Sequence, residues 1–600
     1  MCGIVSVLSL DEDCILDRIL GAMERLEYRG YDSAGIACID ASAKLHRVRS
    51  VGRMAKLRDA VRTDQWSSIN GGAWIGHTRW ATHGQVAERN AHPHVCDGVA
   101  IAHNGIIENY QSLKNELISA GYEFESDTDS EVIAKLIAYY VKTRGLQFEE
   151  ACRECMHVLQ GTFAIVAISQ NVPNTLIGMK LGSPMAICID GQCRNFYIAS
   201  DAIAMSSLSN SITYLLEGDF VVATRTQGGI TYTITSSDGL EVERGVEPNK
   251  IQASCVGKNG YESFMLKEIC EEAIVARRTY DTFDPRIIDI SKFSKVSLIA
   301  CGTSYYACLL AKYWIEALIK IPTDVEVASE FRYRNPVMVT SALYIFVSQS
   351  GETIDTLCAM RLVKERSCTT LAIVNVDGSS IAREADITII TPAGPEIGVA
   401  STKSFVSQIM MLLLMCVPKE RVDIVQIETA INSVLADKHN MEEIARFIVG
   451  SRSVFYIGRG PSYPIALEGA LKMKELSYMN AEGYPAGEIK HGPIALIDDE
   501  VCTVVIAPHD EYLDKTISNM QEIIARNGSV LLLASQDFRE HMREISSHGA
   551  TECLFLPTLH NVYNPFVFGV AVHLIAYNVA KSIGRDVDKP RNLAKSVTVE

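Results

Sequence analysis

Cys2 follows the initiator methionine directly, which makes it the first residue to consider for chemistry. Removal of Met1 would leave a thiol and a free α-amine on one residue. Their ordinary pKa values, roughly 8.5 and 8, let the amine act through a water as base for its own side chain. An ordinary buried cysteine is the alternative, so the rest of the chain must decide. Attack on a carbonyl also needs donors for the oxyanion. Val99 to Gly105 reads as a strand running into an Asn-Gly turn, where the Asn104 amide and the Gly105 N–H could both donate. A plain tight turn accounts for that dipeptide equally well. Ile75 to Gly84 crowds His77, Thr78, Arg79, Trp80, Thr82 and His83 into what reads as an exposed loop after a strand. Arg79 could clamp an α-carboxylate through two parallel bonds. Asp129, just ahead of a predicted helix, could take an α-ammonium or simply cap the helix. A cation and an anion together would recognise an amino-acid zwitterion.

A second set of candidates lies in the other half of the chain. Ser304, Ser348, Gln349, Ser350 and Thr353 stand at strand ends before helices, where hydroxyls and backbone N–H groups could cradle a phosphate without arginine. Lys472 and Glu475 share a predicted helix, and His491 follows in the loop Glu488 to Pro493. A carboxylate beside a sugar C1–C2 bond would be a general base, and a histidine could open a hemiketal ring. Solvated helix faces are the alternative for each. Gly458-Arg459-Gly460 lacks the third glycine of a dinucleotide fingerprint and no Walker-type lysine loop occurs, so neither NAD nor ATP is expected. Cys152, Cys155 and His157 have metal-like spacing but no second cysteine pair, so they read as core and no metal is expected.

Six hundred residues require two to four domains to position these groups. Residues 1–240 carry short β runs at Ile4–Leu8, Gly35–Ile39, Gly72–Ile75, Val99–His103, Thr162–Ile168, Ala186–Ile189 and Phe220–Thr224. Helices are predicted at Ile15–Leu26 and Ser130–Lys142, which makes an α+β domain. A linker, best placed at Asp238–Lys250, and a helical connector fill 241–284. Beyond it strand and helix alternate, and the segment repeats: Gly302/Gly460, Ser304/Ser462 and Tyr305/Tyr463 are each 158 residues apart. Two copies of one α/β unit are expected at about 285–425 and 445–585, then an extended tail at 586–600 with Lys589, Arg591 and Lys595. A net charge of −16 argues against nonspecific binding to nucleic acid or anionic membrane. The apolar run Gln408–Val417 is too short to span a bilayer, and no signal peptide is evident. Seventeen scattered cysteines suit a reducing compartment, so the cytoplasm is expected.

Cys2 to Val5, Tyr28 to Gly35, His77 to Gly84, His103 to Gly105 and Thr128 to Glu131 together resemble the glutaminase domain of N-terminal-nucleophile amidotransferases. The resemblance implies an αββα layered fold, a γ-glutamyl thioester on Cys2 and release of ammonia from glutamine. It makes Asn104 and Gly105 the oxyanion hole. Arg79, Thr82, His83 and Asp129 would hold glutamine, and Trp80 would gate an ammonia path. The repeated units resemble sugar-isomerase (SIS) domains with parallel sheets. With Ser348 to Thr353, Glu396 to Lys403, Glu488 to Pro493 and the tail Pro590 to Glu600, the whole chain resembles the glutamine–fructose-6-phosphate aminotransferase family. The short glutaminase domain is similar to the bacterial form.

That resemblance implies L-glutamine and fructose 6-phosphate as substrates, glucosamine 6-phosphate and glutamate as products, and the first step of hexosamine synthesis. Ser304, Ser348, Gln349, Ser350 and Thr353 would bind the phosphate, with Val399 and Ala594 touching the sugar through their backbones. His491 would assist ring opening, Lys595 would form a Schiff base, and Glu475, with Lys472 beside it, would move the C1–C2 proton. The protein lysine and substrate carbonyl provide the imine, so no pyridoxal phosphate is expected. A homodimer is the expected assembly. A glutamine amidotransferase with another phosphosugar acceptor, or a non-catalytic sugar-phosphate sensor, are the alternatives. The Lys595 tail argues against the first and the Cys2 motifs against the second.

Overall fold

The computed structural model describes every residue except 1, 12–14, 64, 65, 67, 68, 70, 250–256, 541–550, 599 and 600. Met1, the linker end Lys250 and the tail residues Val599 and Glu600 therefore lie outside the described residues. The chain forms two compact units, 1–257 with 594–600, and 258–593.

In the first unit two antiparallel sheets lie face to face between helical layers. The eight-stranded sheet has Gly3–Ser9 near its centre, flanked by Asn195–Ala199 and Ala73–Arg79. The six-stranded sheet contains Val99–Ile107, Gly161–Ser169 and Val172–Leu181 as consecutive antiparallel neighbours. Ile4, Leu8 and Ile75 of one sheet meet Ala102, Val166 and Leu176 of the other in a shared core. Helices Ile15–Arg25 and Met54–Thr63 pack on the first sheet. Val132, Ile133 and Ile137 of helix Glu131–Arg144 pack with Ile101, Phe163 and Ile165 of the second sheet. Because both faces of the central strands are covered, these strands read as continuous apolar runs rather than alternations. Cys152 and Cys155 sit in this core on helix Phe148–Val158, and burial pushes both thiols up, as suits packing residues.

Helices Met54–Thr63 and Tyr110–Ser119 add to the two read from the sequence, and two site-bearing segments differ from that reading. His77, Thr78 and Arg79 are not in an exposed loop: strand Ala73–Arg79 continues through them, and all three are buried. Asn104-Gly105 is not a turn either. The strand runs on to Ile107, with Asn104 paired to Ala164 and Gly105 to Phe163. Glycine is required there, because φ is +132° and a Cβ would come within 1.9 Å of the Thr162 carbonyl oxygen.

The second unit holds two five-stranded parallel sheets of the same order. They run Thr323–Val327, Lys295–Ala300, Ala342–Ser348, Thr369–Val374, Ile387–Ile390, and Asn480–Pro485, Ser453–Gly458, Val501–Ala507, Ser529–Ser535, Thr551–Leu556. In each, the first strand lies between the second and third. The winding reverses there and opens a crevice at the carboxyl ends of the first and third strands. The first and third strands of each copy, Lys295–Ala300, Ala342–Ser348, Ser453–Gly458 and Val501–Ala507, are largely buried and mostly apolar, which is why the copies align in sequence. One core runs through both copies and includes Leu298, Phe405, Tyr456, Val504 and Val570. The apolar run at Gln408–Val417 falls largely in the buried helix Lys403–Leu414, and the longest apolar helix among the described residues is Asn564–Ser582. It is long and apolar enough to cross a membrane, yet 89% of its apolar window is buried inside the protein. A helix apolar on all sides is a core helix when the protein itself covers it.

Candidate active sites

Cys2 precedes the central strand Gly3–Ser9, whose register with Ala73–Arg79 pairs Gly3 with Thr78. That register brings the Cys2 thiol to the Trp80 backbone, with Sγ 3.3 Å from the amide nitrogen and 3.4 Å from the carbonyl oxygen. From the facing sheet, Asn104 Nδ2 donates to the Cys2 carbonyl oxygen at 3.1 Å. Burial pushes the thiol up, whereas the Trp80 N–H and Arg79 pull it down and Asp129 opposes them. The nucleophile candidate, the Asn104-Gly105 pair, Arg79 and Asp129 thus converge at one end of the sandwich.

Arg79 is buried and donates to the carbonyl oxygens of His83, Gly84 and Gln85, so it shapes the loop that carries Thr82 and His83. Thr82 is exposed, and the half-buried His83 ring lies edge-on to Tyr110. Asp129 does not cap helix Glu131–Arg144. It accepts from the Ile107 N–H at 2.8 Å and from the Ser130 hydroxyl at 3.3 Å. The Trp80 ring stands edge-on to Tyr31 at 5.7 Å.

Two supports escaped sequence reasoning. His77 Nε2 faces two acceptors, the His103 carbonyl oxygen at 3.0 Å and Asn104 Oδ1 at 3.1 Å, and therefore carries the proton. A donor on one side and the Cys2 carbonyl on the other leave one orientation for the Asn104 amide. Burial drives the His77 pKa down to about 3, so the ring is neutral. Asp32 accepts from the Ala81 N–H at 2.9 Å and fixes the chain just after Trp80. The motif containing Asp32 was visible, but nothing in its spacing pointed to Ala81.

In the second unit, Ala300 and Val347 are register partners, so the chain leaves both strands side by side at the first crevice. Ser304 stands in the first turn of helix Gly302–Trp314, where its hydroxyl accepts from Gln408 Nε2 at 3.0 Å. Ser348 Oγ lies 3.1 Å from Thr353 Oγ1 and accepts from the Gly351 N–H at 3.1 Å. Ser350 accepts from the Glu352 N–H at 3.2 Å, and Gln349 is half-buried beside it. Hydroxyls and helix N-termini gathered this way suit an anion.

Helix Ser462–Ser477 of the second copy carries Lys472, which is fully buried. Its Nζ is 2.8 Å from Glu475 Oε2, 2.8 Å from Thr303 Oγ1 and 3.2 Å from Glu468 Oε1. Burial alone would lower the ammonium pKa, but Glu468 and Glu475 outweigh it and hold Lys472 protonated. Thr303 belongs to the first copy's crevice, so this bond ties the helix to the phosphate candidates. The i, i+4 and i, i+3 spacing of Glu468, Lys472 and Glu475 was the signal that could have found Glu468.

The remaining candidates are more dispersed. Val399 is buried, and its N–H donates to the Asp588 carbonyl oxygen at 3.0 Å. His491 ends a 3-10 turn, Ala486–His491, rather than lying in an open loop, and its side chain is exposed. No hydrogen bond joins it to Glu475, Lys472 or Ser348 among the described residues. Ala594 and Lys595 are half-buried and belong to the first unit.

Comparison with known proteins matches residues 77–209 to a glutamine amidotransferase domain, and residues 289–418 and 447–579 to two SIS domains. The fold and these matches define the class: an enzyme that joins a glutamine amidotransferase domain to a pair of sugar-isomerase domains. Isomerizing glutamine–fructose-6-phosphate aminotransferases from Bartonella quintana and Zymomonas mobilis are each 43% identical to the chain, over the full length of both partners. The C-terminal domain of glucosamine-fructose-6-phosphate aminotransferase from Francisella tularensis is 37% identical at a TM-score of 0.52, covering 56% of this chain and 99% of that one. The chain belongs to the family of isomerizing glutamine–fructose-6-phosphate aminotransferases.

Proposed function

We propose that the chain converts L-glutamine and D-fructose 6-phosphate to L-glutamate and D-glucosamine 6-phosphate. The observation that carries this reading is the pairing in one chain of the Cys2–Asn104 constellation with the Thr303–Lys472–Glu475 network beside a hydroxyl-lined crevice. With Met1 removed, the Cys2 α-amine takes the thiol proton through a water. The thiolate attacks the side-chain amide carbon of glutamine, whose C–N bond breaks to release ammonia. Asn104 and Gly105 donate to the oxyanion, while Arg79, Thr82, His83 and Asp129 hold the amino acid. Water then cleaves the thioester to glutamate.

Ser304, Ser348, Gln349, Ser350 and Thr353 bind the sugar phosphate, and the backbones of Val399 and Ala594 contact the sugar. His491 assists ring opening. The Lys595 amine condenses with C2, losing water. Ammonia, guided past Trp80, displaces the lysine to give the C2 imine of the sugar. Glu475 then takes a proton from C1 and returns one to C2, leaving an aldehyde at C1 and an amine at C2. Lys472 holds that carboxylate in place. This reading uses no pyridoxal phosphate, and it serves as the first step of hexosamine synthesis. It carries with it a cytoplasmic homodimer with no nucleic-acid or membrane partner, which sedimentation and cell fractionation check.

The test is a pair of substitutions in the full chain. Cys2→Ala should abolish glutamine-dependent synthesis and leave conversion of fructose 6-phosphate to glucose 6-phosphate intact; loss of both defeats the two-site reading. Lys595→Arg should abolish synthesis while glutamine hydrolysis continues at a low level. Amino sugar formed by that variant would remove the Schiff-base role.

A further inference from the structure

A buried chain of ionisable groups continues from Lys472 to the helix that joins the two halves of the sequence. Glu468 Oε1 lies 3.2 Å from His573 Nε2, and His573 Nδ1 lies 2.7 Å from Glu272 Oε1. All three side chains are fully buried. Three helices supply them: Glu272–Thr282, Ser462–Ser477 and Asn564–Ser582. His573 interrupts a helix that is otherwise a core element, and the Phe405 ring stands edge-on to it at 5.7 Å. Burying two carboxylates and an imidazole is unfavourable, and an apolar side chain would fill the same space at lower cost. Stability therefore gives a weak account of the arrangement.

Hydrogen-bond direction gives a better one. Glu468 accepts from Lys472 and Thr303, and its carboxylate is held ionised beside the ammonium. His573 Nε2 must therefore donate to it. Glu272 can donate to Nδ1 when protonated or accept from it when ionised. In both states the Nε2 proton stays on the Glu468 side, and Glu272 gives the buried Nδ1 its partner whichever atom holds the shared proton, which holds the ring in place.

We propose that His573, backed by Glu272, is a positioning residue for the isomerisation. It anchors Glu468, which anchors the Lys472 ammonium between Thr303 of the first copy and Glu475. The connector helix thereby takes part in the sugar chemistry without touching the substrate. The inference rests on the role given above to Glu475.

Glutamine-free isomerisation of fructose 6-phosphate by the full chain tests it. His573→Leu should lower kcat about 10- to 100-fold, the range typical of outer supports, with KM for the sugar phosphate nearly unchanged. Glu272→Gln, whose amide can still pair with Nδ1 through its oxygen or its nitrogen, should retain most of the wild-type kcat. Glu272→Leu, which leaves the buried Nδ1 without its partner, should lose kcat toward the His573→Leu level. If His573→Leu fails to fold, the two Glu272 variants decide. Equal kcat in those two, an unchanged kcat in folded His573→Leu, or a parallel rise in KM overturns the proposal. Glu475→Gln in the same assay separates the two ideas: a Glu475→Gln protein that isomerises normally removes the Glu475 role itself.

Discussion

At the residue scale, the glutaminase half depends on groups that burial keeps neutral. His77, His92, His94 and His103 are all buried, and burial drives each imidazole below its ordinary pKa. The His77 and His92 rings stack at 4.1 Å, which leaves no room for two cations. Each ring contributes stability that is complete above the unfolded pKa of about 6.5. As the pH falls toward the folded value, that contribution drops by up to about 1.4 kcal/mol per unit. The unfolding temperature of the first unit should therefore fall between pH 7 and pH 5, and a flat profile would contradict a neutral stack. His573 has the opposite sign. Burial lowers its pKa, but Glu272 and Glu468 outweigh burial and raise it to about 9. Its contribution is complete below about 6.5 and is lost as the pH rises through 9. His77 also orients the Asn104 amide, the proposed oxyanion donor. His77→Phe should lower kcat for glutamine hydrolysis about tenfold or more while KM stays close to wild type, as steady-state kinetics would show.

At the element scale, two strand ends rely on backbone that only glycine adopts comfortably. Gly105 keeps its strand in register past Thr162, as described above. Gly351 has φ +63°, and a Cβ there would come within 2.0 Å of Ser379 Oγ. Gly105→Ala should destabilise the first unit by about 2 kcal/mol or more and reduce glutaminase turnover while isomerisation persists. Gly351→Ala should do the reverse, weakening sugar-phosphate binding and sparing glutamine hydrolysis. Parallel assays of both activities on each variant check this. The central strands and the helices Ile15–Arg25 and Glu131–Arg144 were legible because covered sheets and apolar residues at helical spacing leave strong local patterns. Val99–Ile107 shows where that legibility ended. Asn-Gly is a turn signal by local propensity, yet pairing with Ala164 and Phe163 on the neighbouring strand carries the chain through it. Likewise His77 and Arg79 are polar residues of the kind found in loops, and they stay in a buried strand where Asn104 and the His103 carbonyl accept from His77 Nε2 and loop carbonyl groups accept from Arg79.

At the scale of the whole molecule, the chain has two units with separate cores. Calorimetry should resolve two transitions, with Gly105→Ala lowering only one and His573→Leu only the other; a single transition moved equally by both would deny their independence. The sequence by itself determined the chemistry on offer. Cys2, the asparagine–glycine pair, the hydroxyl-rich strand ends and the 158-residue repeat are properties of residue type and spacing, which local physics makes readable. It also carried the family, since the motifs span the chain in order. Only the tertiary structure decided which groups meet. Strand register set Cys2 against the Trp80 backbone, and sheet stacking brought Asn104 to it from 102 residues away. Helix packing joined Glu272 to His573 across 301 residues. Such contacts leave no periodic trace, because their partners are chosen by burial and hydrogen-bond satisfaction between elements rather than by neighbours along the chain.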